Sequence, residues 1–340
     1  MIRVAIIGLG VMGRNHARIL DELDGAELVA VADPSSEAMT WARKHHLTPY
    51  KSYRDLFQRE QIEAVTIAVP TRFHLEVGLA ALDRGLHVLM EKPIAADLTE
   101  ARQLVGEAKR QGTVFAVGHV ERFNPAVREL KRRIDAGEVG RVFQIHSRRQ
   151  GPFPARIRDV GAVIDLATHD LDVMRYLLDT EVARVYAETE RRIHTEHEDM
   201  LNGLLRFENG VIGIVQVNWL TPTKIRELVV LGERGMLQLN YITQDLVFFE
   251  NGSQAAPAHP LALLTGVSEG ILVRHPVERA EPLRVELESF LDSIVRRRPP
   301  EVDGEDGLRA LALAMDLVRS GNEARVLDVA LEDRTRRAPR

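Results

Sequence analysis

The chain has 340 residues, of which 45% are hydrophobic, and a formal net charge of −5. That length suits two domains of roughly 100–200 residues each, the apolar content excludes global disorder, and the slight acidic excess argues against a general nucleic-acid binder. The absence of cysteine excludes disulfides, a thiol nucleophile, cysteine-ligated zinc and iron–sulfur clusters.

Residues 2–7 (Ile-Arg-Val-Ala-Ile-Ile) form a short β-branched run. Gly8, Gly10 and Gly13 follow, and then helical periodicity at His16, Ile19, Leu20 and Leu23. Residues 27–32 predict the next strand, closed by Asp33-Pro34, and Glu37 to Lys44 predicts a helix. A third strand over 63–69 ends at Pro70, and helix Leu75–Arg84 stops at Gly85, a C-cap residue. Residues 87–90 make a fourth strand, Leu98 to Gln111 a helix ending at Gly112, and Val114 to Val117 a fifth strand. Strands alternating with helices of about ten residues predict a parallel sheet covered on both faces.

The pattern changes near residue 120. A helix over Pro125–Ala136 precedes a strand over Arg141–Ser147, and a second helix spans 161–178. Strands then succeed one another at 181–190, 200–207, 211–218, 226–232, 235–240 and 245–249, with Glu208-Asn209-Gly210 as a hairpin turn. This predicts a mostly antiparallel sheet. Residues 251–282 read as loop, and helices over 283–297 and 305–320 close the chain. The expected division is a dinucleotide-binding domain over 1–120 and an α+β domain over 121–330, with a disordered tail at 331–340.

No stretch reaches the roughly 18–20 uninterrupted apolar residues of a membrane span. The apolar start lacks the charged n-region and cleavage site of a signal peptide. The expectation is a cytoplasmic protein with no membrane or nucleic-acid partner.

Gly8-Leu9-Gly10-Val11-Met12-Gly13 is a G-x-G-x-x-G run that follows a strand and opens a helix. Asp33, at the end of the next strand, lies at the expected reach of about 20 residues from the last glycine. This is the dinucleotide fingerprint of a Rossmann, doubly wound α/β domain. Gly8 permits the tight turn, Gly10 lets the backbone approach a pyrophosphate, and Gly13 lets the helix pack close to the sheet. The helix N-terminus, including Val11 and Met12, offers N–H groups to the phosphates. The Asp33 carboxylate accepts hydrogen bonds from the adenosine ribose and repels a 2′-phosphate. With no arginine in the next few residues, NAD is expected rather than NADP.

Glu91-Lys92-Pro93 follows the fourth strand at its carboxyl end, where open parallel sheets bind ligands. Lys92 is one of only six lysines, the others being Lys44, Lys51, Lys109, Lys131 and Lys224. By position it is either a solvated cation or a proton relay. Asp165 and His169 are four apart on the helix predicted over 161–178, so they share a face. They read either as a helix-surface pair or as a carboxylate that fixes an imidazole tautomer. No third ligand accompanies them, so no metal is expected. His194 to Asp199 reads as a solvated loop.

These features together resemble the Gfo/Idh/MocA oxidoreductases. The resemblance rests on the glycine fingerprint, Val69-Pro70-Thr71 with His74, Gly85 to Pro93, Asp165-x-x-x-His169-Asp170, and the late segments at 286–290 and 304–310. It implies an NAD(P)-dependent sugar or polyol dehydrogenase. Its second domain would be an open sheet that forms homo-oligomer contacts, in a dimer or a tetramer. By match, Lys92 and His169 take the proton-transfer roles, Asp165 supports them, and Thr71, His74, Glu91 and Lys92 lie near the cofactor. Gly118 to Pro125 and Asn218 to Arg226 resemble a subgroup that includes UDP-N-acetylglucosamine 3-dehydrogenases. Arg122, Phe123, Asn124 and Lys224 are the candidate substrate-binding residues, with Arg226 beside them; Trp219 reads as core. The expected substrate is therefore a UDP-linked N-acetylamino sugar oxidised at C3. The alternatives are a free polyol such as an inositol, and a non-catalytic NAD-binding regulator.

Overall fold

A computed structural model describes residues 1–154, 160–193, 196–252 and 269–330. The predicted tail at 331–340 lies outside them, as does much of the loop predicted over 251–282. The chain divides into two units, one of Met1–Phe123 with Glu281–Ala312, the other of Asn124–Ala280 with the chain from Leu313 onward.

In the first unit the strands are β1 (Ile2–Ile7), β2 (Ala26–Ala32), β3 (Thr48–Tyr50), β4 (Ala64–Ile67), β5 (His87–Glu91) and β6 (Phe115–Gly118). They pair in the order β3-β2-β1-β4-β5-β6, every pair parallel. Both faces are covered, which is why the strands read as continuous apolar runs: Val4, Ala5 and Ile6 are all fully buried. The crossovers include α1 (Val11–Glu22), α2 (Ser36–Lys44), α4 (His74–Leu82) and α5 (Leu98–Gln111). The α5 boundaries follow from local chemistry: the Asp97 carboxylate accepts the Glu100 N–H, and Gly112 ends the helix at φ 66°. The strand order reverses between β1 and β4, the switch point beyond which such sheets bind ligands.

Two elements between β2 and β4 of the first unit escape the sequence pattern. The strand β3 and the helix α3 (Tyr53–Arg59) lie between β2 and β4. A three-residue edge strand containing Pro49 carries too little periodicity to read.

The domain division drawn from the sequence also changes. Residues 281–312 belong with the first unit, not the second. Leu283, Leu287, Phe290, Leu291 and Ile294 form the buried stripe of the helix Pro282–Val295, and they share one core with Ile19 and Leu20 of α1 and Leu23 just beyond its end. An added Cβ would lie 2.7 Å from Phe115 at Gly304 and 2.8 Å from Val117 at Gly307. These two glycines let the start of the next helix lie against β6.

The second unit holds a nine-stranded sheet in the order β14-β13-β12-β11-β7-β10-β9-β8-β15. Its strands are β7 (Val142–Pro152), β8 (Val182–Glu190), β9 (Met200–Phe207), β10 (Ile212–Asn218), β11 (Leu220–Gly232), β12 (Gly235–Asn240), β13 (Asp245–Asn251), β14 (Glu269–His275) and β15 (Leu327–Asp328). All pairs are antiparallel except β7 with β10. The strand β14 falls inside the region read as loop. One face packs on α6 (Pro125–Asp135), α7 (Thr168–Leu178) and the residues from Leu313 to Leu317. Among the described residues no helix is long and apolar enough to cross a membrane.

Candidate active site

The turn after β1 is built around two obligatory glycines. Gly8 sits at φ 94°, and a Cβ there would lie 2.6 Å from the Ala68 carbonyl oxygen beyond β4. At Gly13 a Cβ would lie 1.8 Å from the Gly8 oxygen. Gly10 differs: its φ is −66°, and nothing lies within 4 Å of a Cβ there. Open space at the N-terminus of α1, whose first turn carries no acidic residue, fits a pyrophosphate held by backbone N–H groups. Val11 in that turn is 64% exposed, whereas Met12 packs against the core.

Asp33 ties this turn to the end of β2. Its Oδ2 accepts the Leu9 N–H at 2.7 Å and its Oδ1 the Ser35 N–H at 2.8 Å, and each oxygen keeps a lone pair for a ribose hydroxyl. The nearby Arg14 guanidinium is held by Glu37 at 2.7 Å, so its charge is already matched.

Beyond β5, Glu91 is buried. Its Oε1 lies 2.9 Å from His16 Nε2, and its Oε2 accepts the Lys92 N–H at 3.2 Å. Burial pushes the carboxyl pKa up, but the His16 hydrogen bond and charge and the neighbouring Lys92 outweigh it and hold Glu91 below the ordinary range. The carboxylate is therefore ionised, and His16 Nε2 carries the donated proton. Sequence reasoning placed His16 only on the buried stripe of a helix. The available signal was its position three residues after Gly13, on the face that Gly13 presses to the sheet.

Thr71 and His74 follow β4, and both are buried. His74 Nδ1 lies 2.8 Å from the Pro93 oxygen and Nε2 3.0 Å from the Val69 oxygen. Burial lowers its pKa although both carbonyls oppose the shift. A neutral ring donates to only one carbonyl at a time. His74 thus staples the segments that leave β4 and β5.

In the second unit the helix predicted over 161–178 is not uniform. Val163–Ala167 forms a π turn before α7 begins at Thr168, so Asp165 and His169 straddle a change of helical pitch. Both are half-buried. Glu198 sets the start of this segment. Its carbonyl accepts the Ala162 N–H at 2.9 Å, and its Oε1 accepts the Val163 N–H at 3.1 Å. Gly161 leaves the room, since a Cβ there would lie 2.0 Å from Oε1. The solvated-loop reading of this stretch is thereby corrected at its end. Asp199 is also fully buried and accepts the Arg192 N–H at 2.8 Å and the Ile193 N–H at 2.5 Å. His194 and Thr195 lie outside the described residues. Next to His169, Asp170 is fully buried and takes a two-pronged bond from Arg149 at 2.9 and 3.2 Å, which locks α7 onto β7.

The candidate substrate residues are used unevenly. Arg122 Nη1 lies 3.3 Å from Asp306 Oδ2 and 3.4 Å from the Glu301 oxygen, and Phe123 is core. Asn124 caps α6 by accepting the Ala126 N–H at 3.1 Å and donates to the Tyr241 oxygen at 3.1 Å. These contacts give all three a place in the packing. Lys224 is exposed and comes together with Arg226 beside Gly151. Trp219 is buried core, edge-on to Phe153.

Residues 2–119 match the oxidoreductase family described as having an NAD-binding Rossmann fold, and residues 127–238 match the Gfo/Idh/MocA C-terminal domain. The chain belongs to the Gfo/Idh/MocA oxidoreductase family. It is 28% identical over 317 residues to UDP-N-acetylglucosamine 3-dehydrogenase of Acidithiobacillus ferrooxidans, covering 93% of this chain and 96% of that one. A solved structure of that enzyme superposes with a TM-score of 0.82, covering 94% of this chain and 97% of that one at 28% identity. Myo-inositol 2-dehydrogenase of Thermotoga maritima is 27% identical over 98% of this chain and 99% of its own. The scyllo-inositol 2-dehydrogenase (NAD(+)) of Bacillus subtilis is 33% identical over 65% of this chain and 68% of its own. The protein is thus an NAD-binding dehydrogenase of this family.

Proposed function

We propose that the protein oxidises a ring hydroxyl, at C3, of a UDP-linked N-acetylamino sugar to the ketone, with NAD as hydride acceptor. The reading is carried by Lys92, whose backbone is anchored through Glu91 at the carboxyl end of β5, the sheet edge that also bears the nucleotide turn. Similarity to the UDP-N-acetylglucosamine 3-dehydrogenase over nearly the whole chain supports the substrate class. Lys92 and His169 divide the proton work: one accepts the hydroxyl proton and the other donates a hydrogen bond to the oxygen. Asp165 supports His169. Asp33 receives the ribose hydroxyls and disfavours a 2′-phosphate. Lys224 with Arg226 offers positive charge for a diphosphate, while Arg122, Phe123 and Asn124 shape the segment leading into α6.

The protein acts as a cytoplasmic homo-oligomer formed through the sheet of the second unit. That sheet carries Leu204, Ile212 and Leu231 as exposed apolar residues, and Leu204 registers with Ile214 and on to His146 and Val229. Light scattering that shows a monomer at micromolar concentration would refute the assembly.

The substrate test is a rate panel followed by NADH absorbance, with UDP-N-acetylglucosamine, UDP-glucose, myo-inositol and scyllo-inositol, each with NAD and with NADP. Turnover of the UDP-acetamido sugar with NAD supports the reading. Faster oxidation of a free inositol, the activity named for two relatives, replaces the substrate. A preference for NADP removes the Asp33 role. Near wild-type kcat across the pH range for Lys92→Met and for His169→Ala removes the proton roles.

A further inference from the structure

We infer that His16 is a positioning residue for Lys92, acting through the buried carboxylate of Glu91. The inference rests on Lys92 being a proton-transfer group. His16 lies on α1, one turn beyond Gly13, and is fully buried. Its Nε2–H donates to Glu91 Oε1 at 2.9 Å, and the other carboxylate oxygen closes on the backbone N–H of Lys92 itself at 3.2 Å. Gly118 at the end of β6 backs the carboxylate so closely that a Cβ there would lie 3.2 Å from Oε2. The carboxylate is therefore gripped on three sides by α1, β6 and the Lys92 backbone. On the other side of Lys92 the Pro93 carbonyl meets the buried ring of His74 at 2.8 Å. The chain immediately before and after Lys92 is thus tied to α1 and to α4, the helices that follow β1 and β4 at the switch point.

Stability alone does not account for this arrangement. A buried carboxylate–imidazole pair carries a desolvation penalty that a well-packed apolar pair of equal volume lacks. His16 Nδ1 is also buried without a hydrogen-bond partner among the described residues, a further cost. Buried ionisable groups with perturbed titration cluster at functional sites. Here the group held is the backbone of Lys92 just beyond β5, and the group holding it, His16, lies on α1, the helix that opens at the glycine turn. The pair thus links the nucleotide turn and the proton-transfer lysine into one rigid frame, and correct placement of a reacting group is worth large rate factors.

The test is a double-mutant cycle on the full-length protein, with kcat measured on UDP-N-acetylglucosamine or the fastest sugar of the panel, and NADH affinity measured by fluorescence. His16→Leu and Glu91→Gln are each expected to lower kcat about tenfold or more; NADH affinity is read on His16→Leu, whose Kd is expected to stay within about threefold of wild type. His16→Gln keeps an N–H donor for Glu91 and is expected to recover most of the lost kcat. In a Lys92→Met background neither change is expected to lower the residual rate further. Losses that multiply with Lys92→Met, or a fall in NADH affinity equal to the fall in kcat, overturn the positioning role while leaving the Lys92 assignment intact. If Lys92→Met by itself retains wild-type kcat, the assignment falls and the inference with it. Glu91→Gln preserves side-chain volume, so the cycle can be completed if His16→Leu does not fold.

Discussion

Replacing Gly10 by alanine separates what the fold needs from what the cofactor needs. The backbone there, at φ −66° and ψ −163°, is open to an L-residue, and no atom lies within 4 Å of the new methyl. The fold therefore has no steric reason to object. Stiffening the unfolded chain stabilises by about 0.4–1 kcal/mol at such compatible sites. In a chain longer than 250 residues this raises Tm by about 2–4 °C at most. If that open space receives the pyrophosphate, as proposed, the methyl stands in its path. Loss of one charge-assisted backbone hydrogen bond, about 1.5–3 kcal/mol, weakens NAD binding by about 10- to 150-fold, at 1.4 kcal/mol per tenfold, and loss of two by about 100- to 20,000-fold. Gly13→Ala is the control. Its methyl would lie 1.8 Å from the Gly8 oxygen, so α1 must move off the turn, with an overpacking cost of about 1–3 kcal/mol or more. Thermal melts and NADH titration of the two variants decide the matter. Gly10→Ala should keep its Tm and lose NADH affinity, whereas Gly13→Ala should lose both. A Gly10→Ala protein that binds NADH like wild type, or that loses as much Tm as Gly13→Ala, refutes the assignment of that space to the phosphates.

Arg149→Met leaves the buried Asp170 carboxyl without its two-pronged partner, and should cost about 3–5 kcal/mol in urea unfolding; adding Asp170→Leu should return much of the loss, and an additive double variant would argue against the pair. Gly161→Ala pushes into Glu198 Oε1, releases the cap on the segment carrying Asp165 and His169, and should lower kcat more than NADH affinity; an unchanged kcat would show that the cap does not matter to the site. His74 has a folded pKa below its ordinary 6.5, chiefly through burial. The unfolded chain therefore takes up a proton first as pH falls, so its contribution to stability is complete above about pH 6.5 and is lost as pH drops from there through the folded pKa. Tm should decline between pH 7 and 5, with a shallower decline for His74→Gln; a flat wild-type profile would contradict the sign.

Local grammar carried much of the first unit. The alternation of apolar runs and helices, the glycine turn, Asp33 and the caps at Gly85 and Gly112 are each set within a few residues of chain, so they are legible without tertiary knowledge. The same holds for the family resemblance, since Glu91-Lys92-Pro93 and Asp165-x-x-x-His169-Asp170 are short contiguous signatures. Apart from the short edge strand β3, whose three residues carry no readable period, the misses at Pro282–Val295 and at Glu198 depend on partners far away in sequence. The helix Pro282–Val295 joins the first unit because its apolar stripe finds α1 more than 250 residues earlier. Glu198, read as solvated, caps a helix through the space left by Gly161.

By itself, then, the sequence determined the parallel nucleotide-binding sheet, the cofactor class and the family, because backbone conformation at glycines, strand periodicity and contiguous motifs are local properties. Only the tertiary structure decided which charges are satisfied internally and which carboxylate holds Lys92. Hydrogen bonding and desolvation depend on what burial brings together, and His16 meets Glu91 across 75 residues of chain that no local pattern spans.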